Sequence, residues 1–238
     1  RYFGEMLKVN KVNVQLNSEQ TAESLAAGGY DHVVLSSGIK ARQLDIPGFD
    51  HPKVLSYLDV LKHHKAVGQN VAVIGAGGIG FDVSEYLTEP HSLTLQPEAW
   101  LKDWGIDKDY QSRGALLADA PIEPSERKVF LLQRKTSKVG SGLGKTSGWA
   151  HRASLQKKGV EMLSGVNYLK VDDAGLWISI NNEERCLAVD NVVICAGQVP
   201  LRALQQGLLE QGQKVHLIGG ADVAAELDAK RAIRQGAE

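Results

Sequence analysis

Residues Val71–Leu87 read VAVIGAGGIGFDVSEYL, and they decide the fold. The nearly all-apolar run that opens this stretch is typical of a parallel strand buried on both faces. Gly75, Gly77 and Gly80 follow with GxGxxG spacing, and the apolar residues after them recur on one face of a helix. The order of strand, glycine turn and amphipathic helix predicts a Rossmann-like α/β domain.

Each glycine of this motif has a separate physical task. Gly75 allows the tight turn, Gly77 admits a pyrophosphate, and Gly80 lets the helix pack on the strand, while the helix amino end holds the anion. The sequence therefore predicts a dinucleotide site. The alternative is a glycine-rich turn without a ligand. The residues expected to bind the cofactor here are Gly75, Ala76, Gly77, Gly78, Ile79 and Gly80.

The second strand of the domain indicates which dinucleotide is bound. In NAD and FAD sites this strand ends in an acidic residue that accepts hydrogen bonds from ribose hydroxyls. Here the strand VFLLQR is followed by lysine, so that it ends in Gln133, Arg134 and Lys135. A guanidinium forms paired, charge-assisted hydrogen bonds with a phosphate, whereas a carboxylate repels one. We therefore expect Arg134 and Lys135 to bind the 2′-phosphate of NADPH. The alternative is a solvated strand end.

Two further stretches lie close to these motifs in the sequence. Residues Thr88–Arg127 hold four of the seven prolines and are predicted to form a surface insertion of open role. Residues Gly142–Arg152 read GLGKTSGWAHR, which offers Lys145 to a phosphate and Trp149 to a ring. The alternative for this second stretch is a glycine-rich loop with a core tryptophan.

The remaining pattern is that of short alternating elements. Residues Asn13–Leu16 alternate like a strand, and Val54–Leu61 have helical spacing. From Val160 to Asp190, four predicted strands follow one another across Gly, Asp and Asn turns, which predicts a small β-meander. A last helix is predicted from Ala224.

One segment of the chain has a counterpart much later in the sequence. Residues Asp31–Gly38 read DHVVLSSG and residues Asp190–Gly197 read DNVVICAG. A glycine at the end of a buried strand lets the backbone approach a ligand or another segment closely. The pair indicates two crossings between one domain and a second domain inserted into it. The alternative is a chance likeness of two strands.

Composition excludes several classes of function. The 238 residues carry a formal net charge of −1, without the basic excess that nucleic acid binding needs. The sequence has no apolar run of roughly 18 residues, so we expect no membrane partner and a cytoplasmic location. Cys186 and Cys195 lie nine positions apart and form no CxxC pair or metal ligand set. We expect His63 and His64 on the surface, and we predict no catalytic residue and no metal ligand.

Five motifs in order carry a resemblance to a known family. The stretches VAVIGAGGIGFDVSEYL, FLLQRK, VGSGLGKTSGWAHR, VVICAGQVP and IGGADVAAELDAKRAI resemble the C-terminal half of bacterial NADPH-dependent 2,4-dienoyl-CoA reductases. That family is related to trimethylamine dehydrogenase and to the flavin oxidoreductases like old yellow enzyme. The resemblance covers nearly the whole chain.

The resemblance implies a glutathione-reductase-like fold in which an NADPH domain is inserted into an FAD domain. The implied domains are a partial FAD-binding domain over residues 1–66, the NADPH-binding domain over 67–190, and the C-terminal part of the FAD domain over 191–238. An N-terminal barrel carrying FMN and a 4Fe-4S cluster would precede this chain in the parent protein. The chain would then begin inside an incomplete FAD domain, and alone it would be inactive.

The resemblance also implies roles for particular residues. Gly38 and Gly197 would mark the two domain crossings, and Asp222 would lie near the ribityl chain and pyrophosphate of FAD. The helix from Ala224 would point its amino end at the flavin. In the intact enzyme, hydride would pass from NADPH to FAD, and electrons then to FMN and substrate. Two alternatives stay open: a non-catalytic nucleotide-binding module, or an NADPH:acceptor flavin reductase without a barrel.

Overall fold

The computed structural model describes residues 1–89, 91–117, 125–225 and 227–238. Within these ranges the α-helices are α1 (Tyr2–Val9), α2 (Ala22–Ala27), α3 (Tyr57–Leu61), α4 (Gly78–Thr88), α5 (Pro97–Asp103), α6 (Gly148–Lys157), α7 (Gln205–Glu210) and α8 (Ala229–Ala237). The strands are β1 (Val33–Leu35), β2 (Ile39–Ala41), β3 (Val54–Ser56), β4 (Asn70–Ile74), β5 (Lys128–Leu132), β6 (Glu161–Leu163), β7 (Asn167–Asp172), β8 (Gly175–Ile180), β9 (Glu183–Leu187), β10 (Asn191–Ile194), β11 (Gln198–Pro200) and β12 (Val215–Leu217).

The chain forms two compact units. Unit 1 comprises residues 1–40 and 198–238, and unit 2 comprises residues 41–197. Unit 2 is therefore continuous in sequence, whereas unit 1 is assembled from both ends of the chain. The domain boundaries at 66 and 190 drawn from the resemblance stay a prediction.

Unit 2 is built on a five-stranded parallel sheet with the order β3-β10-β4-β5-β6. Its centre is β4, where Val71–Ile74 expose no surface at all. Val71 and Val73 belong to a core cluster that also contains Phe81 of α4 and Leu155 of α6. Successive residues of a strand point to opposite faces, so helices cover one face of β4 and another layer must cover the other.

The second layer is a three-stranded antiparallel sheet of β7, β8 and β9. Leu176 and Ile178 of β8 are fully buried, and they share a core cluster with Ala72 and Ile74 of β4. Alternate residues of β4 thus pack against the helices and against the antiparallel sheet. Burial of each large aliphatic side chain contributes about 1.5 to 3 kcal/mol, so both layers are stabilised by contacts with this one strand.

The predicted β-meander is confirmed for three of its four strands. The first predicted strand, which begins at Val160, is instead β6, which pairs in parallel with β5 at the edge of the larger sheet. The reason is that α6 lies between β5 and β6. A helical crossover returns the chain parallel to the strand it left, whereas a tight turn returns it antiparallel.

Two other local predictions are wrong. Asn13–Leu16 is not a strand; it follows the helix Tyr2–Val9, for which the sequence analysis makes no prediction. Val54 begins a strand rather than a helix, because it pairs with Val192 of β10. The helix α3 starts only after Ser56, whose side chain accepts a hydrogen bond from the backbone N–H of Asp59. Tertiary pairing has overridden the helical spacing of the apolar residues here.

The predicted insertion between Thr88 and Arg127 contains α5, and part of it lies outside the described residues. Within its described part, Asp103 at the end of α5 lies 2.9 Å from the amine of Lys157 on α6. Both side chains are largely buried, and this ion pair attaches the insertion to the helical face of unit 2.

Unit 1 contains a two-stranded parallel sheet in which β1 pairs with β12. Its small core joins Val33 and Leu35 of β1 to Ala22 of α2 and Leu208 of α7. A second two-stranded sheet consists of β2 and β11. In the part of the chain that the structure describes, no helix has the length and apolarity needed to cross a membrane.

The capping of α3 gives unit 2 a defined acid sensitivity. The Asp59 carboxylate accepts hydrogen bonds from the Ser56 backbone N–H at 2.8 Å and from the Ser56 hydroxyl at 2.7 Å, and it pairs with Lys65 at 2.8 Å. Lys65 first and Ser56 second lower the pKa of Asp59 from 3.8 to about 2. Because this pKa is depressed, the ionised carboxylate stabilises the fold above pH 3.8, and the stabilisation is lost as pH falls towards 2.

We therefore expect Asp59→Asn to lower the free energy of unfolding by about 1 kcal/mol at pH 7, with the difference from the parent chain shrinking below pH 4. Urea unfolding followed by circular dichroism from pH 7 to pH 3 measures this. The control is Asp109→Asn, which removes an exposed carboxylate. A pH-independent difference for Asp59→Asn would contradict the assignment.

Candidate functional site

The glycine turn joins β4 to α4 and is fixed by the close approach of backbone segments. The Gly75 N–H donates to the Leu132 carbonyl of β5 at 2.9 Å. Gly75 has a φ of +109°, and a Cβ there would lie 2.8 Å from the Ala196 backbone beyond β10. A side chain at this position is excluded both by conformation and by space.

The other glycines of the motif fall into two groups. A Cβ at Gly80 would collide with the Gly75 carbonyl oxygen, so Gly80 allows α4 to pack directly on the turn. A Cβ at Gly77 or Gly78 would meet nothing within 4 Å, and both residues are exposed. The amino end of α4 is therefore open on the outside, and its first N–H groups have no carbonyl partner within the helix. Such a helix end fits an anion.

The basic residues that follow β5 lie beside this turn. Gly75, Ala76 and Gly77 line one side of a cleft of about 370 Å³, and Gln133, Arg134 and Lys135 line another. Arg134 and Lys135 are exposed. The structure thus brings together the two motifs that the sequence connects only by a long insertion. Ile79, the remaining residue of the motif, packs against the core cluster under α4.

The cleft has further lining residues that sequence reasoning missed, among them Ser137, Ser141, Gly142 and Tyr168. The two serines and Gly142 follow the basic residues within one glycine-rich stretch, a signal that was available in the sequence. Tyr168 comes from β7 of the antiparallel sheet, and no local signal points to it. Burial raises the pKa of the Tyr168 phenol, and the positive charge of Arg134 acts in the opposite direction. The phenol is therefore neutral at physiological pH.

The stretch from Gly142 to Arg152 serves the cleft indirectly. Trp149 is 62% exposed, so the alternative of a core tryptophan is wrong. Lys145 and Trp149 are absent from the described lining of the cleft. Arg152 donates to the Gly140 carbonyl at 3.0 Å, and Nδ1 of His151 lies 2.9 Å from a carboxylate oxygen of Glu85. These contacts hold the start of α6 and the loop before it in place.

The two glycines of the repeated segment lie at or near the points where the chain passes between units. Gly38 precedes the first passage, after Lys40, and Gly197 is the last residue before the return. Their φ angles are +81° and +86°, in the region that favours glycine. Gly38 also packs closely within unit 1, because a Cβ at Gly220 would lie 3.0 Å from its carbonyl carbon.

Asp222 lies in unit 1 and is held by the last helix. One oxygen of its carboxylate accepts from Gln235 at 2.9 Å and lies 3.5 Å from the guanidinium of Arg231. The helix predicted from Ala224 begins only at Ala229, and this prediction is corrected. The side chain of Asp228 accepts from the Arg231 N–H at 2.8 Å and so caps the helix at that point.

A second cleft of about 280 Å³ lies within unit 2 at the carboxyl ends of β3 and β10. Its lining includes Arg42, Ser56, Asp59, Ile194 and Gly197. In open α/β sheets, ligands bind in the crevice at the carboxyl ends of the strands. Both of these clefts therefore lie where the fold expects a ligand.

Fold and site together define a class: an α/β module with a Rossmann-like parallel sheet, a β-meander and a glycine turn of the kind that fits a dinucleotide, as the sequence predicts. The chain belongs to the pyridine nucleotide-disulphide oxidoreductase family, whose model matches residues 2–228. This family is one of flavin-dependent oxidoreductases, and it suggests FAD and NAD(P) as cofactors.

Individual relatives agree with this family. The chain is 22% identical to a metal reductase of Desulforamulus reducens over 88% of this chain and 31% of that protein. It is 24% identical to a cinnamate reductase of Clostridium sporogenes over 93% of this chain and 28% of that protein. The structure of a 2-naphthoyl-CoA reductase bound to 2-naphthoyl-CoA matches with a TM-score of 0.74 at 22% identity, over 99% of this chain and 30% of that one.

These matches confirm the α/β fold. The chain spans about a third of the length of the curated relatives it matches.

The family name refers to a disulphide, but both cysteines of this chain are free thiols. Cys195 is buried at the end of β10, and burial raises its pKa to about 12. Burial also raises the pKa of Cys186 on β9. Since the thiolate is the nucleophile in thiol chemistry, neither cysteine is activated for attack on a disulphide.

The glycine geometry makes two neighbouring substitutions differ sharply. We expect Gly80→Ala to lower the free energy of unfolding by about 2 kcal/mol, because its Cβ would push α4 off the turn. Gly78→Ala, which adds the same methyl group in open space, should change stability by less than about 0.5 kcal/mol. Urea unfolding of both variants measures this, and equal effects would show that α4 does not pack on the turn as described.

Proposed function

We propose that unit 2 binds NADPH and that, in the intact protein, it delivers reducing equivalents to FAD. The observation that carries the proposal is that the glycine turn before α4 and the basic pair Arg134 and Lys135 line the same cleft. A dinucleotide lying across the turn would have its adenosine ribose on the side of β5, where these two residues are.

The charge of the cleft supports the phosphorylated cofactor. Among the described residues that line it, Arg134 and Lys135 are charged, and none is an aspartate or glutamate. NAD sites use an acidic residue at this position to accept from the ribose hydroxyls. A 2′-phosphate instead needs donors and positive charge, which the guanidinium of Arg134 and the ammonium of Lys135 supply.

The open backbone at Gly77 and Gly78 supports binding of the pyrophosphate. Side-chain atoms at these positions would fill the space that the phosphates need. The first N–H groups of α4 would donate to the phosphate oxygens, and the positive end of the helix dipole would favour their charge.

The nicotinamide half is proposed to extend towards the second cleft of unit 2, at the ends of β3 and β10. NADPH, when bound, would supply a hydride from nicotinamide C4, and FAD, when bound, would accept it at N5. The protein's part is to bind and orient the ring and to exclude water around it. Gly38, Gly197 and Asp222 are proposed to serve the FAD side of the exchange, the two glycines as domain crossings and Asp222 near the flavin's ribityl chain.

The final electron acceptor is proposed from the resemblance. In the parent protein, an N-terminal barrel with FMN and a 4Fe-4S cluster would pass electrons to a 2,4-dienoyl-CoA. Similar proteins named for metal, cinnamate and 2-naphthoyl-CoA reduction show that related chains serve different acceptors. The NADPH domain over residues 67–190, the barrel as partner and the cytoplasmic location are part of this proposal.

We expect the chain to bind NADP⁺ more tightly than NAD⁺, and Arg134→Ala to raise the Kd for NADP⁺ about tenfold or more while leaving that for NAD⁺ within twofold. Isothermal titration calorimetry measures both constants. Arg185→Ala, which removes an exposed positive charge on β9, is the control and should leave the preference unchanged. Equal affinities of the parent chain for the two dinucleotides would overturn the assignment.

The alternative of a non-catalytic nucleotide-binding module can be tested in a longer form of the protein that binds FAD. A form of the protein with bound FAD should show bleaching of the flavin absorbance near 450 nm when NADPH is added without oxygen. Binding of NADPH without bleaching would favour the structural module and reject electron delivery.

A further inference from the structure

The turn that carries the two basic residues is closed by one neutral side chain. The amide nitrogen of Gln133 donates to the carbonyl oxygen of Lys135 at 3.0 Å and to that of Ser137 at 2.5 Å. A glutamine amide nitrogen carries two hydrogens, and both are used here. Gln133 therefore connects the start of this turn, residues 133–137, to its end.

Backbone hydrogen bonds hold the other side of the same turn. The Gly165 N–H donates to the Lys135 carbonyl at 2.9 Å, and the Val166 N–H donates to the Gln133 carbonyl at 3.0 Å. The Gln133 N–H donates to Leu163 of β6 at 2.9 Å. The turn is thus pinned to the segment between β6 and β7 on one side, and Gln133 closes it on the other.

Arg134 and Lys135 are exposed side chains on this turn. Long exposed side chains lose conformational entropy when they converge on one ligand. This cost is smaller when the backbone that carries them is already held in the conformation that binds the ligand. The position of Ser137 depends on the same contact, and its hydroxyl lies 3.3 Å from that of Ser141 in the lining of the cleft.

We propose that Gln133 is a positioning residue for recognition of the 2′-phosphate. It acts by closing the 133–137 turn, which directs Arg134, Lys135 and the Ser137 hydroxyl at one phosphate group. Because both of its amide hydrogens are used within the turn, Gln133 does not itself donate to the phosphate. The inference rests on the proposed function, since it assigns a role within the NADPH site.

The test compares two probes that differ in the 2′-phosphate. Isothermal titration calorimetry gives the Kd of 2′,5′-ADP and of 5′-ADP for the parent chain and for Gln133→Met, which keeps the length of the side chain but has no donor. We expect the Kd for 2′,5′-ADP to rise about five- to tenfold and that for 5′-ADP to change less than twofold, because two hydrogen bonds that aim the cations are lost. A merely structural role would not move the ratio of the two constants.

Two further variants sharpen the result. Gln133→Asn keeps the donors on a shorter side chain that cannot reach both carbonyls, and it should lose part of the preference for 2′,5′-ADP. Gln111→Met is the matched control, because the Gln111 amide also donates to a nearby carbonyl, that of Asp109 at 2.8 Å, in the insertion. It should leave both constants unchanged.

An unchanged ratio in Gln133→Met or Gln133→Asn overturns the inference. Equal weakening of both probes, or loss of both, also overturns it, since that is the result expected of a general role in folding. If the parent chain itself shows no preference for 2′,5′-ADP, the proposed NADPH site fails and the inference fails with it. A parent preference for 2′,5′-ADP that is undiminished in Gln133→Met rejects the inference alone.

Discussion

The contact between Gly80 and the Gly75 carbonyl is the constraint on which the rest of unit 2 depends. It sets the distance between α4 and the end of β4, and a single methyl group at Gly80 would not fit. Because α4 lies this close, Phe81 and Val83 enter the core beside Val71 and Val73. The same approach leaves the amino end of α4 open at Gly77 and Gly78. Tight packing below the turn and an accessible backbone above it are therefore two results of one geometry.

The arrangement around β4 follows from its burial on both faces. A strand with no exposed side chain needs a layer on each side, and the chain supplies helices for one and a small antiparallel sheet for the other. The antiparallel sheet also contributes Tyr168 to the cleft that the glycine turn lines. A layer required for stability thus forms part of the candidate site.

The proximity of the glycine turn and the basic residues after β5 could be predicted from the sequence because it follows from chain order. A strand, a turn and a helix are adjacent in sequence, and Arg134 follows the next strand in the domain. The edge strand β6 could not be distinguished from the strands of the β-meander, because its short sequence does not indicate which strand it pairs with. The start of α8 was predicted too early in the sequence. The helix begins after Asp228, whose side chain accepts a hydrogen bond from the Arg231 N–H and so caps the helix. The role of Gln133 depends on distances to carbonyl oxygens that no spacing in the sequence reveals.

The described residues that line the cleft beside the glycine turn all belong to unit 2, a continuous stretch of chain. The residues that we propose to distinguish NADPH from NADH are confined further, to a few positions after β5. Under that proposal, changes in one short turn would exchange the electron donor, while the sequence of unit 1 stays as it is. Donor and acceptor would then be free to diverge independently among related proteins.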